Sequence, residues 1–191
     1  MSSGVIAAVS IHGMWNQVIN APQVPPLLQW QGLQILPGLN AVTGDEGSGK
    51  TRLLCELAKG TADALWLDLR LPEDDERTPE EIWERLQAQQ PRWSAALQVD
   101  LTQALHLQEH LGKRLFMLSA GSRRKVALVG LLASGATITC IDQPYAALDM
   151  ASMRVIREFL SDMAEHPSRA WVVADYEADE GLPWHSVTRL A

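Results

Sequence analysis

The sequence predicts an α/β fold: a mostly parallel sheet flanked by helices, with a helical block inserted into it. Three observations carry this expectation. Strand-like and helix-like patterns alternate at both ends of the chain, while the middle, about 78–133, reads almost wholly as helix. The run Ala136 to Ile141 is apolar and β-branched without alternation, as a strand buried on both faces requires. A glycine-rich turn joins an apolar strand pattern, Leu39 to Thr43, to a helical one, Thr51 to Lys59.

In chain order, the segment before Pro37 is irregular, because Pro22, Pro25 and Pro26 break any long element, and Leu27 to Leu36 suits one or two short strands. Leu53, Leu54 and Leu57 give the first helix its apolar side, and Gly60 closes it. Ala64 to Leu69 is a strand candidate and Pro72 to Glu76 an acidic loop. Thr78-Pro79-Glu80-Glu81 starts a helix by a stated mechanism: a threonine cap, proline at the first turn, and glutamate reaching back. Helical pattern continues from Glu81 to Leu111, interrupted near Pro91, and resumes from Ser119 to Ala133. Met150 to Glu165 is an amphipathic helix, and Trp171 to Ala174 the last buried strand.

The 191 residues suit one globular domain, 1–191, and 47% hydrophobic with 20% charged residues is ordinary for a folded soluble chain. A net charge of -7 argues against direct nucleic-acid binding, which favours a basic footprint. Cys55 and Cys140 stand far apart in apolar surroundings, which suits a reducing compartment better than a disulfide framework. Met1 to His12 lacks a basic start, so no secretory leader is read there, and no apolar run spans a bilayer. A cytoplasmic chain that reaches a membrane only through a partner is expected.

The most specific motif is Gly44-Asp45-Glu46-Gly47-Ser48-Gly49-Lys50-Thr51, with Arg52 following; it fits G-x-x-x-x-G-K-[ST] between a strand and a helix. Gly47 and Gly49 let the backbone approach phosphates, and successive N–H groups at a helix N-terminus form an anion nest. Lys50 reaches the outer phosphates, and the Thr51 hydroxyl ligates Mg²⁺. These are the requirements of a P-loop NTPase core holding ATP and Mg²⁺. Asp45 and Glu46 add negative charge that weakens binding unless they point outward. Asp142, ending the apolar strand Ile138-Thr139-Cys140-Ile141, is placed to hold the Mg²⁺ as well.

Leu118-Ser119-Ala120-Gly121-Ser122-Arg123-Arg124-Lys125 resembles the signature motif of ABC ATPases, and Asp142-Gln143-Pro144-Tyr145-Ala146-Ala147-Leu148-Asp149 resembles that family's stretch from D-E-P to its D-loop. Order and spacing agree from about Leu39 to Asp149. The compact size and LSAG form look most like the haem-exporter ATPase subunits of cytochrome c maturation. The resemblance implies an ABC-type nucleotide-binding domain and a head-to-tail dimer of like or unlike subunits. Each ATP then lies between one phosphate loop and the other subunit's Ser119 and Gly121, and a membrane-spanning transporter subunit is driven. Ser119 can serve its helix as a cap by the same geometry.

Against the family pattern, three positions depart. Gln143 stands where a glutamate orients and deprotonates the attacking water, and an amide takes no proton at neutral pH. Asp175 stands where a histidine is expected after the strand. Leu67 to Arg77 contains no glutamine for the loop that senses nucleotide. With Asp142, Gln143 and Asp175 at the catalytic positions, binding is expected to persist and hydrolysis to be slow. A transporter ATPase is the leading expectation, with a nucleotide-gated dimerisation switch as its alternative. Trp15 is the candidate for stacking on adenine, against a plain packing role. His106-Leu107-Gln108-Glu109-His110 matches a zinc-protease pattern, H-x-x-E-H, but is better read as a solvated helix face.

Overall fold

The computed structural model describes residues 25–30 and 32–191; Trp15 lies outside the described residues. Five parallel strands form the central sheet: β3 (Gly38–Thr43), β4 (Ala64–Trp66), β5 (Ile138–Asp142), β6 (Ala170–Asp175) and β7 (Ser186–Arg189), in the order β4-β5-β6-β3-β7. A short antiparallel pair, β1 (Leu28–Trp30) and β2 (Leu33–Ile35), lies beside it.

Helices cover both faces. Alternate residues of the inner strands point to opposite sides, so Leu39, Ile141, Trp171 and Val173 join one core, while Val42, Ile138, Cys140, Val172 and Ala174 join the other. Helix α1 (Lys50–Gly60) buries Leu54 and Leu57 against the second core together with Leu33 and Ile35. The first core takes α2 (Pro79–Gln89), α3 (Ala95–Ala104), α4 (Ala120–Ala133) and α5 (Met150–Met163). Trp83 is fully buried there and donates its indole N–H to the Val126 carbonyl at 3.0 Å. That satisfies the one polar atom of a large apolar group.

The predicted caps form. Thr78 accepts from the Glu81 N–H and Glu81 reaches back to the Thr78 N–H at 2.8 Å, a reciprocal capping box. Ser119 caps α4 by accepting from Ser122, and Asp149 caps α5 by accepting from Ser152.

Four sequence expectations are corrected. The last strand is β7, not Trp171 to Ala174, because β7 alternates exposed and half-buried residues at the sheet edge and lacks an apolar run. The strand from Ala64 stops at Trp66, since the backbone of Asp68 to Arg70 turns to serve an Asp68–Arg70 pair. The helical stretch to Leu111 is α2, α3 and a 3-10 turn over Gln108–His110. His106 is left-handed (φ 55°), so the two histidines of the H-x-x-E-H pattern do not share a helix face.

The acidic loop is tied down rather than merely solvated. Arg85 holds Asp74 through both carboxylate oxygens, Arg123 pairs Asp75 and Arg114 pairs Glu76. The Leu115 and Phe116 N–H groups bond Arg77 and Asp75 carbonyls. These contacts fix the segment leading into α4 against the loop that follows β4.

Candidate functional site

Parallel strands direct their carboxyl ends to one edge, where open α/β sheets bind ligands. The register sets Thr43 opposite Asp175 and Asp142 opposite Ala174, so the ends of β3, β5 and β6 meet. From β3 the chain passes into the glycine-rich loop and then α1, whose first turn points its N–H groups at the same edge.

The loop requires its glycines. Gly47 and Gly49 adopt φ 81° and 91°, and Gly49 serves as the left-handed cap of α1. Lys50 is buried, and its ammonium donates to the Gly44 and Asp45 carbonyls at 2.5 and 2.7 Å. No carboxylate lies within ion-pair distance of it among the described residues, so it offers its charge to an anion in the loop. The Tyr176 ring lies 4.9 Å from the same ammonium. Asp45 and Glu46 are exposed; Glu46 nonetheless lines the cleft beside the loop, so its charge stays at the site.

Across the loop, the Thr51 hydroxyl donates to Asp142 Oδ2 at 2.7 Å. A hydroxyl and a carboxylate so close are hard oxygen donors of the kind Mg²⁺ takes beside nucleotide phosphates. The residues therefore fit a magnesium–polyphosphate group. Together with Glu46, Gly47, Gly49, Arg52, Gln143, Tyr176 and Arg70, they line a cleft of about 460 Å³. Arg52 is exposed and occupied with Glu56.

Gln143 begins the turn after β5. It is left-handed (φ 47°), and its N–H bonds the Ala174 carbonyl at 2.7 Å. Asp175 ends β6 half-buried; burial pushes its carboxyl above the ordinary aspartate range and the Asp142 charge adds to this, against the Tyr176 N–H and Lys50. Asp175 lines the neighbouring cleft, not the one beside the phosphate loop.

Ser119 and Gly121 lie outside the phosphate cleft, on the exposed start of α4. Ser119 Oγ lies 3.0 Å from Ser122 Oγ, a local cap. Gly121 packs on the turn after β5: an added Cβ would meet the Ala147 carbonyl oxygen at 2.5 Å. The structure thus gathers Lys50, Thr51, Asp142 and Gln143 in one cleft, and leaves Ser119 and Gly121 outside it.

Three participants escaped the sequence reasoning. Arg70, past the end of β4, reaches Asp142 Oδ2 at 3.4 Å. Arg124, quoted only as part of a motif, donates to the Asp142 carbonyl at 2.6 Å. Tyr176 covers Lys50. Their one legible signal is position, each charge or ring falling just after a strand end or one turn into a motif helix.

Comparison with known proteins agrees with this geometry. No family model matches the chain. Over 68 residues it is 40% identical to the cytochrome c biogenesis ATP-binding export protein CcmA of Paramagnetospirillum magneticum, covering 35% of this chain and 30% of that protein. It is 31% identical over 65 residues to the energy-coupling factor transporter ATP-binding protein EcfA2 of Staphylococcus aureus, covering 34% and 23%. The matched segments thus span less than a third of these curated relatives. A candidate ABC transporter ATP-binding protein from Pyrococcus furiosus superposes with TM-score 0.65 at 17% identity, covering 83% of this chain and 88% of that one. The chain is related in sequence to ATP-binding subunits of ABC transporters, and it has the ABC-type P-loop fold.

Proposed function

We propose that this chain is the ATP-binding subunit of an ABC transporter that binds Mg-ATP and hydrolyses it slowly. The observation that carries this reading is the pairing of Thr51 with Asp142 at 2.7 Å beside a buried Lys50 that has no carboxylate partner among the described residues. Lys50 and the N–H groups of Gly47 to Thr51 hold the phosphates, while Thr51 and Asp142 hold the magnesium ion, which neutralises phosphate charge when bound. Gln143 orients the attacking water but takes no proton from it, and Asp175 places a carboxyl where a cationic or neutral donor would serve better.

The signature surface finds its ligand on a second subunit, of like or unlike sequence, packed head to tail. The capped start of α4, away from its own chain's phosphate cleft, supports that arrangement, because an exposed helix N-terminus suits an incoming phosphate. No helix among the described residues is long and apolar enough to cross a membrane. Membrane work therefore falls to a partner, with this chain at the cytoplasmic face. Leu71, Phe116 and Met117, all about half exposed on the segments joined by the arginine–carboxylate ties, offer that partner an apolar contact. The likeness to an export protein supports export of haem or another small molecule as the work done.

Gln143 favours a second reading, a dimerisation switch that ATP closes and hydrolysis scarcely opens. Mg-ATP turnover measured together with sedimentation separates the two. Steady turnover lost in Lys50→Ala supports the transporter ATPase; an ATP-induced dimer without turnover supports the switch. Neither turnover nor a change of mass, for a chain that binds ATP, contradicts both.

A further inference from the structure

We propose that Arg70 is a further nucleotide ligand, taking the terminal phosphate of a bound triphosphate so that a single chain distinguishes ATP from ADP. The inference rests on the ATP-binding reading of the same cleft.

The phosphate loop and α1 supply one wall of the cleft, with Lys50, Thr51 and the loop N–H groups. Arg70, Asp142, Gln143 and Tyr176 supply the other. Arg70 comes from a different strand end than the loop does, and it lines the same cleft as Lys50, Thr51 and Gln143. The side chain is already aimed. Asp68 accepts from Arg70 Nε at 2.8 Å and Nη2 at 2.7 Å, and also from the Arg70 backbone N–H at 2.9 Å. A planar guanidinium held along its Nε–Nη2 edge keeps its remaining donors in a fixed direction. Nη1 has no acceptor among the described residues, and the contact of Nη2 with Asp142 is long, 3.4 Å.

Charge points the same way. A triphosphate carries more negative charge than Lys50 and one divalent cation neutralise, and Asp142 and Asp175 add more. Arg52, the other arginine of the cleft, is exposed and already paired with Glu56. Arg70 is paired as well, with Asp68 and Asp142, but its side chain is 51% exposed against 82% for Arg52, so it is the better held of the two. With Asp142 serving a metal ion, the long Arg70–Asp142 contact would be given up, leaving Nη1 and one Nη2 hydrogen for phosphate, where charge-assisted pairing is strong. A merely structural pair would predict otherwise: Arg70 is half exposed, and such pairs contribute little to stability.

The test is isothermal titration of the whole chain with Mg-ATP and Mg-ADP, in wild type, Arg70→Ala, Arg70→Lys and Asp68→Asn. Arg70→Ala is expected to weaken ATP about 10- to 100-fold, the range for charge-assisted hydrogen bonds, and ADP less than about twofold. Arg70→Lys restores part of the ATP affinity, and Asp68→Asn loses less than Arg70→Ala, again for ATP alone. Equal losses for both nucleotides, or unchanged ATP affinity in Arg70→Ala, would overturn the role. Wild type that binds neither nucleotide overturns the ATP reading itself. Binding that Lys50→Ala abolishes, with an ATP/ADP ratio that Arg70→Ala leaves unmoved, overturns the Arg70 role alone.

Discussion

In the proposed ATPase, Gln143 and Asp175 are the residues that slow turnover, and Gln143 differs from the expected glutamate by one side-chain atom. Gln143 carries an amide where a carboxylate would accept the proton of water, and general-base help is commonly worth about 10²–10⁴-fold. Gln143→Glu is therefore expected to raise turnover about a hundredfold by the low end of that range; steady-state rates check it, and no gain would place the larger defect at Asp175 or in the glutamine-free segment after β4. Asp175 is a like charge near Asp142, with its carboxyl raised mainly by burial. Because the folded value lies above the unfolded one, the folded chain holds the proton longer, and ionisation removes stability as pH rises through that window. Asp175→Asn should melt higher than wild type at pH 7, with the gap shrinking toward pH 4; a constant gap would refute the linkage. Removing the charge should also tighten Mg-ATP about three- to tenfold, the scale of one like charge at close to the dielectric of water.

At the scale of elements, the signature helix is joined to the turn after β5 by close packing and not by propensity. Gly121 meets the Ala147 carbonyl, whose residue is itself left-handed (φ 61°), and Lys125 pairs with Asp149 at 2.7 Å. A methyl group at Gly121 must push backbone, so Gly121→Ala should cost about 1–3 kcal/mol, readable by urea unfolding. A loss under about half a kcal/mol would show that the turn yields.

Most elements here were legible because each carried a local cause. Thr78 and Glu81 announce a capping box, the glycines a phosphate loop, and Ile138 to Ile141 a buried strand. β7 was not legible, since a half-buried edge strand in which Ser186 and Thr188 alternate with Val187 and Arg189 carries too little apolar signal. The break at His106 was hidden for another reason: a left-handed residue leaves no mark in hydrophobic periodicity. Of the site, Lys50, Thr51 and Asp142 could be read from motif spacing. Arg70 could not, because its place in the cleft depends on where β4 lies beside β5, a tertiary fact.

On the scale of the whole molecule, the sheet order brings β3, β5 and β6 together from distant parts of the sequence, and their shared edge makes the phosphate site. Ser119 and Gly121, at the exposed start of α4, lie outside that cleft. The central claim is nonetheless about one chain: the cleft beside Lys50 binds Mg-ATP. Isothermal titration of Mg-ATP into wild type and Lys50→Ala tests it most directly. The account predicts saturable binding to wild type, with at least about a hundredfold loss in Lys50→Ala, as removal of a buried charge-assisted phosphate donor implies. Equal affinity in the two proteins, or no binding to wild type, would contradict it.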